Sequence, residues 1–374
     1  ILLLFILFPL FKRKFGSIKL LKVPAIDYKE PVLKAGVLML NSNKIFMSFN
    51  DDISFYSLLA TLKNKFLLKG NNYSYFNFPR AWLMIGVLDS FEATKDKKLI
   101  DDVEKQCEIL IDGNGDLLFQ FNKIDQSLFG LVFIRLFDIT GELKYKNASF
   151  HVYKHCQSFM NNDDLILYRK GVEVFFVDTI GMVVPFLYSF ASAFDNKQAL
   201  LIARRQLLFY FEKGVDPSSG IPFHAYDLKN KMLLGSSNWG RGVGWYIIGL
   251  SYGLKYETDI ETQNVYKAYY DILTNKLQTL KAPNKTWPQF IGHSNDNATD
   301  ASATFMIYYS MMIVDDPRLN ISDVNSILEN LIDINGFVEY SSGDTIYINK
   351  YSKLKGKSEI SQGFLLSLLH GLNL

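Results

Sequence analysis

The sequence predicts an all-α protein, an (α/α)6 barrel built as a six-hairpin toroid. Three observations carry that expectation. Strongly apolar helical stretches recur at a near-regular interval. Each is followed by a more amphipathic, charged helix. Strand signals are scarce. The apolar stretches open near Arg80, Asp125, Asp178, Arg241, Asp300 and Gln362, spaced 45 to 63 residues apart. Such recurrence is the mark of a helix-pair array. A helix apolar nearly all round is buried, and one with a polar face lies outside. Six of each suggest a closed double ring, with an open superhelix of helix pairs as the alternative.

Residues 1–50 form an N-terminal apolar and basic segment of uncertain structure, and residues 51–374 are assigned to the single toroid. Residues 1–11 are apolar but too short to cross a bilayer. Lys12-Arg13-Lys14 follows that run, whereas a signal peptide carries its basic residues first. The first strong helix covers 78–91, with Pro79 suited to its first turn. Residues 97–111 are its partner. The pattern returns at 124–138 with 144–160, and at 178–194 with 198–212. It returns again at 241–254 with 260–280, at 300–314 with 322–334, and last at 361–372. Pro185 is expected to bend the third apolar helix. Residues 336–340 and 345–350 read as one small hairpin.

Composition narrows the function classes. The chain has 374 residues, 48% hydrophobic and 15% aromatic, enough for a large core with rings to spare for a cleft. A net charge of +2 gives no field that would attract nucleic acid. Membrane association is expected only through the N-terminal segment. Cys107 and Cys156 lie in different helices with no CxxC pair, so free buried thiols are expected. That usage favours a cytoplasmic setting, with an envelope-associated one if the apolar start belongs to a longer anchor. No phosphate-binding loop, Rossmann fingerprint or nucleophile elbow occurs. His151 and His155 share a helix face without a carboxylate, a poor metal signal. No metal or cofactor is expected.

In a closed ring all inner helices start on one face, so the loops before them converge on one mouth. Asp125 and Asp178 both stand at such starts. Each could be an ordinary N-cap. Asp178, however, follows the apolar run 174–177 and precedes an almost wholly apolar helix. If the two acids face each other, one can hold a proton near neutrality while its partner stays ionised, as a carboxyl general acid requires. Trp239 and Arg241 lie in Trp239-Gly240-Arg241-Gly242-Val243-Gly244-Trp245. Projecting from the mouth, an indole and a guanidinium would seat a sugar ring and its carboxylate. A glycine-rich turn with tryptophan as core filler is the plainer reading. His224 lies on the preceding loop as a candidate substrate contact. His293, Asp296, Asp300 and Glu359 are weaker candidates. Trp82 and Trp287 read as core or cleft wall.

These segments resemble the unsaturated glycuronyl hydrolases of glycoside hydrolase families 88 and 105. The likeness is carried by Ile124-Asp125 with Gly130, by Val177-Asp178-Thr179 with Met182 and Pro185-Phe186-Leu187, by His224-Ala225-Tyr226-Asp227, and by Trp239-Gly240-Arg241-Gly242 with Gly244-Trp245-Tyr246. Ala301-Ser302-Ala303 with Phe305 also matches, and the order agrees over about residues 75–372. The resemblance implies an (α/α)6 barrel acting on oligosaccharides that end in a 4,5-unsaturated uronic acid. It implies Asp178 as general acid/base and Asp125 as the second acid. Trp239, Arg241, His224, Trp245 and Phe176 would bind the substrate, with no cofactor. The segment between His224 and Trp239 is shorter than is usual there, and Phe176 stands where a tryptophan is common. These differences motivate a second reading, a polysaccharide-biosynthesis or glycan-binding protein acting on saturated chains.

Overall fold

The computed structural model describes residues 28–42, 77–292, 299–345, 347–372 and 374. His293, Asp296 and the apolar start at 1–11 lie outside them. Among the described residues the chain forms twelve α-helices that alternate between an outer and an inner ring. They are α1 (Lys29–Leu40), α2 (Phe78–Thr94), α3 (Lys97–Cys107), α4 (Leu128–Thr140), α5 (Leu143–Gln157), α6 (Val177–Phe194), α7 (Lys197–Lys213), α8 (Gly240–Tyr256), α9 (Ile260–Thr279), α10 (Ala301–Ile313), α11 (Ile321–Leu331) and α12 (Glu359–Gly371).

Burial sorts the two rings as the hydrophobic pattern requires. In α10 every residue from Ala301 to Met311 is buried. In α3 only Leu99, Val103 and Cys107 are, four residues apart on one stripe. The inner helices α2, α4, α6, α8, α10 and α12 each touch the next, and α12 returns to α2. The ring is therefore closed, which removes the open superhelix. Outer helices α3, α5, α7 and α9 each lie on the inner helix that precedes them.

The sixth outer helix is α1. It packs on α12, α2 and α3, although Lys29–Leu40 lies within the segment the sequence reading set apart from the toroid. Tyr28 begins it without a side-chain cap, and its pattern is too short to announce itself. What fixes it is tertiary: Arg80 at the start of α2 donates to Met39 O at 2.8 Å and to Leu40 O, satisfying the carbonyls at the end of α1.

The same arginine forms a buried ion pair with Glu359, Nη1 to Oε1 3.1 Å, and so ties the first inner helix to the last. Burial pushes the Glu359 carboxyl up to about 7, against the pull of Arg80. Between the ordinary pKa of 4.5 and about 7, the folded chain holds a proton that the unfolded chain has lost. Stability contributed at this group therefore falls as pH rises through that window. Melting temperatures recorded across it should decline toward neutrality, and Glu359→Gln should flatten the decline. An unchanged slope in that variant would sink this account.

A local device repeats at the crossings from outer helix to mouth. Asp112, Asn161, Asp216 and Asp333 each accept backbone N–H bonds from residues two to four positions later in the chain, closing an Asx turn. Asn284 does the same more loosely for Thr286. Each turn reverses the chain and sends it toward the starts of the inner helices.

Strand structure is small and differs from the expected hairpin. β1 (Val174–Phe176), β2 (Ala225–Asp227) and β3 (Met232–Leu234) form an antiparallel sheet in that order. β4 (Ser341–Ser342) pairs with β5 (Lys355–Gly356), displacing the expected strands at 336–340 and 345–350. Cys107 and Cys156 are free and buried, as expected. α6 is apolar and long enough to cross a membrane by composition, yet it is an inner, buried helix of the ring.

Candidate active site

The sheet places the first acid. Phe176 pairs with Ala225, and Val177 N donates to His224 O at 2.9 Å. His224 is thereby locked beside the start of α6, with Nε2 3.4 Å from Asp178 Oδ2. Asp178 is no cap. Phe176 occupies the N-cap position of α6 and no side chain caps that end. The Asp178 side chain is 15% exposed, but Oδ2 is buried and accepts no hydrogen bond.

Asp125 sits in a 3-10 turn, Ile124–Ser127, just ahead of α4. Ser127 Oγ donates to Met182 O of α6 at 3.0 Å, which holds this turn against the Asp178 helix. Asp125 is fully buried. Lys123 Nζ lies 2.8 Å from its Oδ2, and the Tyr168 hydroxyl donates to the same oxygen at 3.4 Å. Oδ1 has no partner. Burial pushes the Asp125 carboxyl up to about 6, with Lys123 opposing and the charge of Asp344 adding to the rise. Rings bridge the two acids: Tyr168 packs on Phe176 at 5.5 Å, and Phe176 meets His224 edge-on at 5.9 Å.

Asp300 shows what an acid spent on structure looks like. It is the N-cap of α10 and accepts from Ser302 N at 2.9 Å, while Ser342 Oγ reaches its second oxygen at 2.6 Å. Burial opposes its charge, but Lys355, Arg241 and these hydroxyls hold its carboxyl below the ordinary range.

Two expectations need correction. Trp239 and Arg241 do not project from the mouth; each is only 1% exposed. Gly242 has no Cβ, which lets the Trp239 ring fold back onto the start of α8. The Arg241 guanidinium stacks 5.0 Å from that ring. Its donors are taken by Ser342 O at 3.0 Å, Ser342 Oγ at 2.8 Å and Gly343 O at 2.9 Å. Arg241 thus anchors the strap at 341–345, whose Asp344 acts electrostatically on Asp125. Trp239 lies against His224, ring centres 4.5 Å apart. Trp245 is not open to a substrate either. It is fully buried in the ring wall, edge-on to Phe78 at 5.3 Å and pressed on Gly181. Trp82 and Trp287 are fully buried too.

Sequence reasoning missed Lys123, Tyr168 and Tyr351. Tyr351 is the most informative. Ser236 N–H donates to its hydroxyl at 3.1 Å, and that hydroxyl lies 2.9 Å from His224 Nδ1. The Tyr351 hydroxyl thus holds the imidazole by Nδ1 and leaves Nε2 facing Asp178. Nothing in the local sequence signals this, because Tyr351 is 127 residues from His224. Lys123 and Tyr168 could have been suspected: each ends a segment that follows one of the repeated Asx turns. His155 stacks on Phe121 at 5.2 Å and His151 faces Asp116 at 3.2 Å. Among the described residues no group of side chains has the makings of a metal site.

The sequence profile of glycosyl hydrolase family 88 matches residues 59–317. The chain belongs to that family. It is a glycoside hydrolase, and its substrates are oligosaccharides or polysaccharides. Solved structures share the fold. A family 105 glycoside hydrolase of C. acetobutylicum ATCC 824 superposes with TM-score 0.70 at 18% identity, covering 86% of this chain and 100% of its own. A possible family 105 member from Klebsiella pneumoniae gives TM-score 0.73 at 14% identity, covering 96% and 97%. An unsaturated glucuronyl hydrolase specific for heparin gives 0.68 at 14%, covering 92% and 96%. At these identities the likeness is one of fold.

Proposed function

We infer that this hydrolase releases a 4,5-unsaturated uronic acid from the end of an oligosaccharide. One observation carries the reading. Two carboxyl groups stand at starts of neighbouring inner helices, neither caps its helix, and each has a buried oxygen without a hydrogen-bond partner. Buried acceptors are ordinarily satisfied, so such orphans point to a polar ligand. Their surroundings are aromatic, as suits a sugar.

The chemistry follows from the vinyl ether. Asp178, the more exposed acid, donates its proton to C4 of the C4–C5 double bond. Positive charge develops at C5, shared with the ring oxygen. The Asp178 carboxylate then takes a proton from water as the water oxygen bonds to C5, which restores the acid. The product is a hemiketal that opens, and its rearrangement breaks the bond to the next sugar. Asp125 would orient a sugar hydroxyl and steady the positive charge. His224 Nε2 lies 3.4 Å from Asp178 Oδ2 and confines the carboxyl from that side. Trp239 supports His224 from behind, and Phe176 offers a partly open ring to the substrate.

Incubation with the unsaturated disaccharides that polysaccharide lyases produce should bleach the absorbance of the conjugated double bond. Absence of bleaching with any such product, together with binding of long saturated glycans, would reject this reading for the saturated-chain alternative.

Tyr351 is a positioning residue here. Tyr351→Phe removes the hydroxyl that holds His224 Nδ1 while keeping the ring. The expected loss is about tenfold in kcat, the worth of about one hydrogen bond, with KM little changed and a shifted pH–rate profile. A rise in KM alone would instead make Tyr351 a substrate contact.

A further inference from the structure

One cavity lies away from the mouth. It holds about 1280 Å³ and opens at the opposite end, where the inner helices finish. Its walls combine residues of all six: Asp89 of α2, Arg135 of α4, Ser189 of α6, Tyr252 of α8, Tyr309 of α10 and His370 of α12.

We propose that this rear cavity is a second carbohydrate site that binds a neutral saccharide. The lining is polar but internally balanced. Arg135 Nη2 lies 2.8 Å from both Asp89 Oδ1 and Glu92 Oε1. Arg318 is held by Asp316 at 2.7 Å and Asp271 at 2.9 Å. A ligand thus meets acceptors and donors side by side rather than a field of one sign. Vicinal hydroxyls, which both donate and accept, match that pattern. The ends of six helices add partial negative charge, which disfavours an anion. Arg135, Arg318, Lys255 and Lys267 stand against Asp89, Glu92, Asp138, Asp315 and Asp316, so the side chains offer a cation no strong excess of one sign. Tyr252 and Tyr309 pair hydroxyl to hydroxyl at 3.1 Å, and Tyr252 stacks with Tyr256 at 6.0 Å between ring centres, giving aromatic surface. Two buried polar groups of the lining have neither an ion pair nor a hydrogen bond. Ser189 Oγ and His370 Nε2 have no hydrogen-bond partner, although both residues line the cavity. Sugar hydroxyls would satisfy both. The volume exceeds the roughly 300–1,000 Å³ of ordinary small-molecule pockets, leaving space for more than one ring.

The test uses the full chain with glucose, galactose, rhamnose, lactose and cellobiose, followed by saturation-transfer NMR and calorimetry, and glucuronate as the anionic comparison. Ser192 and Ala193 line the cavity and are exposed, so a large side chain there fills space without entering the core. Binding at about millimolar Kd is expected, unchanged in Asp178→Asn and weakened about tenfold or more in Ser192→Trp and in Ala193→Trp, with melting temperatures of the tryptophan variants kept. The proposal is overturned if none of the neutral sugars binds. It is equally overturned if binding is lost in Asp178→Asn and kept in the tryptophan variants, or if glucuronate binds the rear site more tightly than they do.

Discussion

Asp178→Asn is expected to lower kcat on an unsaturated disaccharide by about a thousandfold, within the range a general acid commonly supplies. In barrier terms this is about 4 kcal/mol. The amide keeps the size of the carboxyl and can still face His224, so folding and KM should change little. The helix end offers no reason for collapse, because Asp178 accepts none of the free N–H groups of α6. Asp125→Asn has a different expected profile. Its Oδ2 is held by Lys123 and Tyr168, and the amide would replace the buried ion pair with Lys123 by at best a hydrogen bond to a neutral oxygen. Both kcat and stability should suffer there. Measuring activity and melting temperature on the two variants separates the roles. An Asp178→Asn protein that retains more than about a tenth of the wild-type rate would end the case for Asp178 as proton donor.

Gly363→Val is expected to cost at least about 3 kcal/mol of stability, at the upper end of what forced overpacking does. The ring closes where α12 meets α2, and it closes backbone to backbone. A Cβ on Gly363 would overlap the carbonyl of Trp82, and one on Gly86 would overlap the carbonyl of Gly363. A backbone carbonyl cannot turn aside as a side chain can, so the helices must separate. Separation would loosen Trp82 from Phe364, whose rings lie 4.4 Å apart, and strain the Arg80–Glu359 pair at the same seam. Denaturant unfolding of Gly363→Ala and Gly363→Val should show a graded loss. A change below about 1 kcal/mol for valine would show that the seam has room the packing denies.

Periodicity alone carried much of the fold. The six apolar stretches, their amphipathic partners and the placing of Asp125 and Asp178 at helix starts are consequences of residue spacing, which the chain bears locally. Helix α1 was not legible that way. Its place depends on Arg80 reaching its terminal carbonyls from α2, a contact that no window of sequence contains.

The mouth divides along the same line. Residue type and position marked Asp178, Asp125 and His224, and the family resemblance added Phe176. They could not say that Arg241 would spend its donors on Ser342 and Gly343, a hundred residues away. Nor could they say that Trp245 would be sealed in the wall. Tyr351 and Lys123 acquire meaning only from what they touch. A hydrophobic pattern constrains which face of a helix is buried, because burial follows from local spacing. Which donor meets which acceptor is decided when distant segments share one end of the ring, and only the closed tertiary structure brings them there.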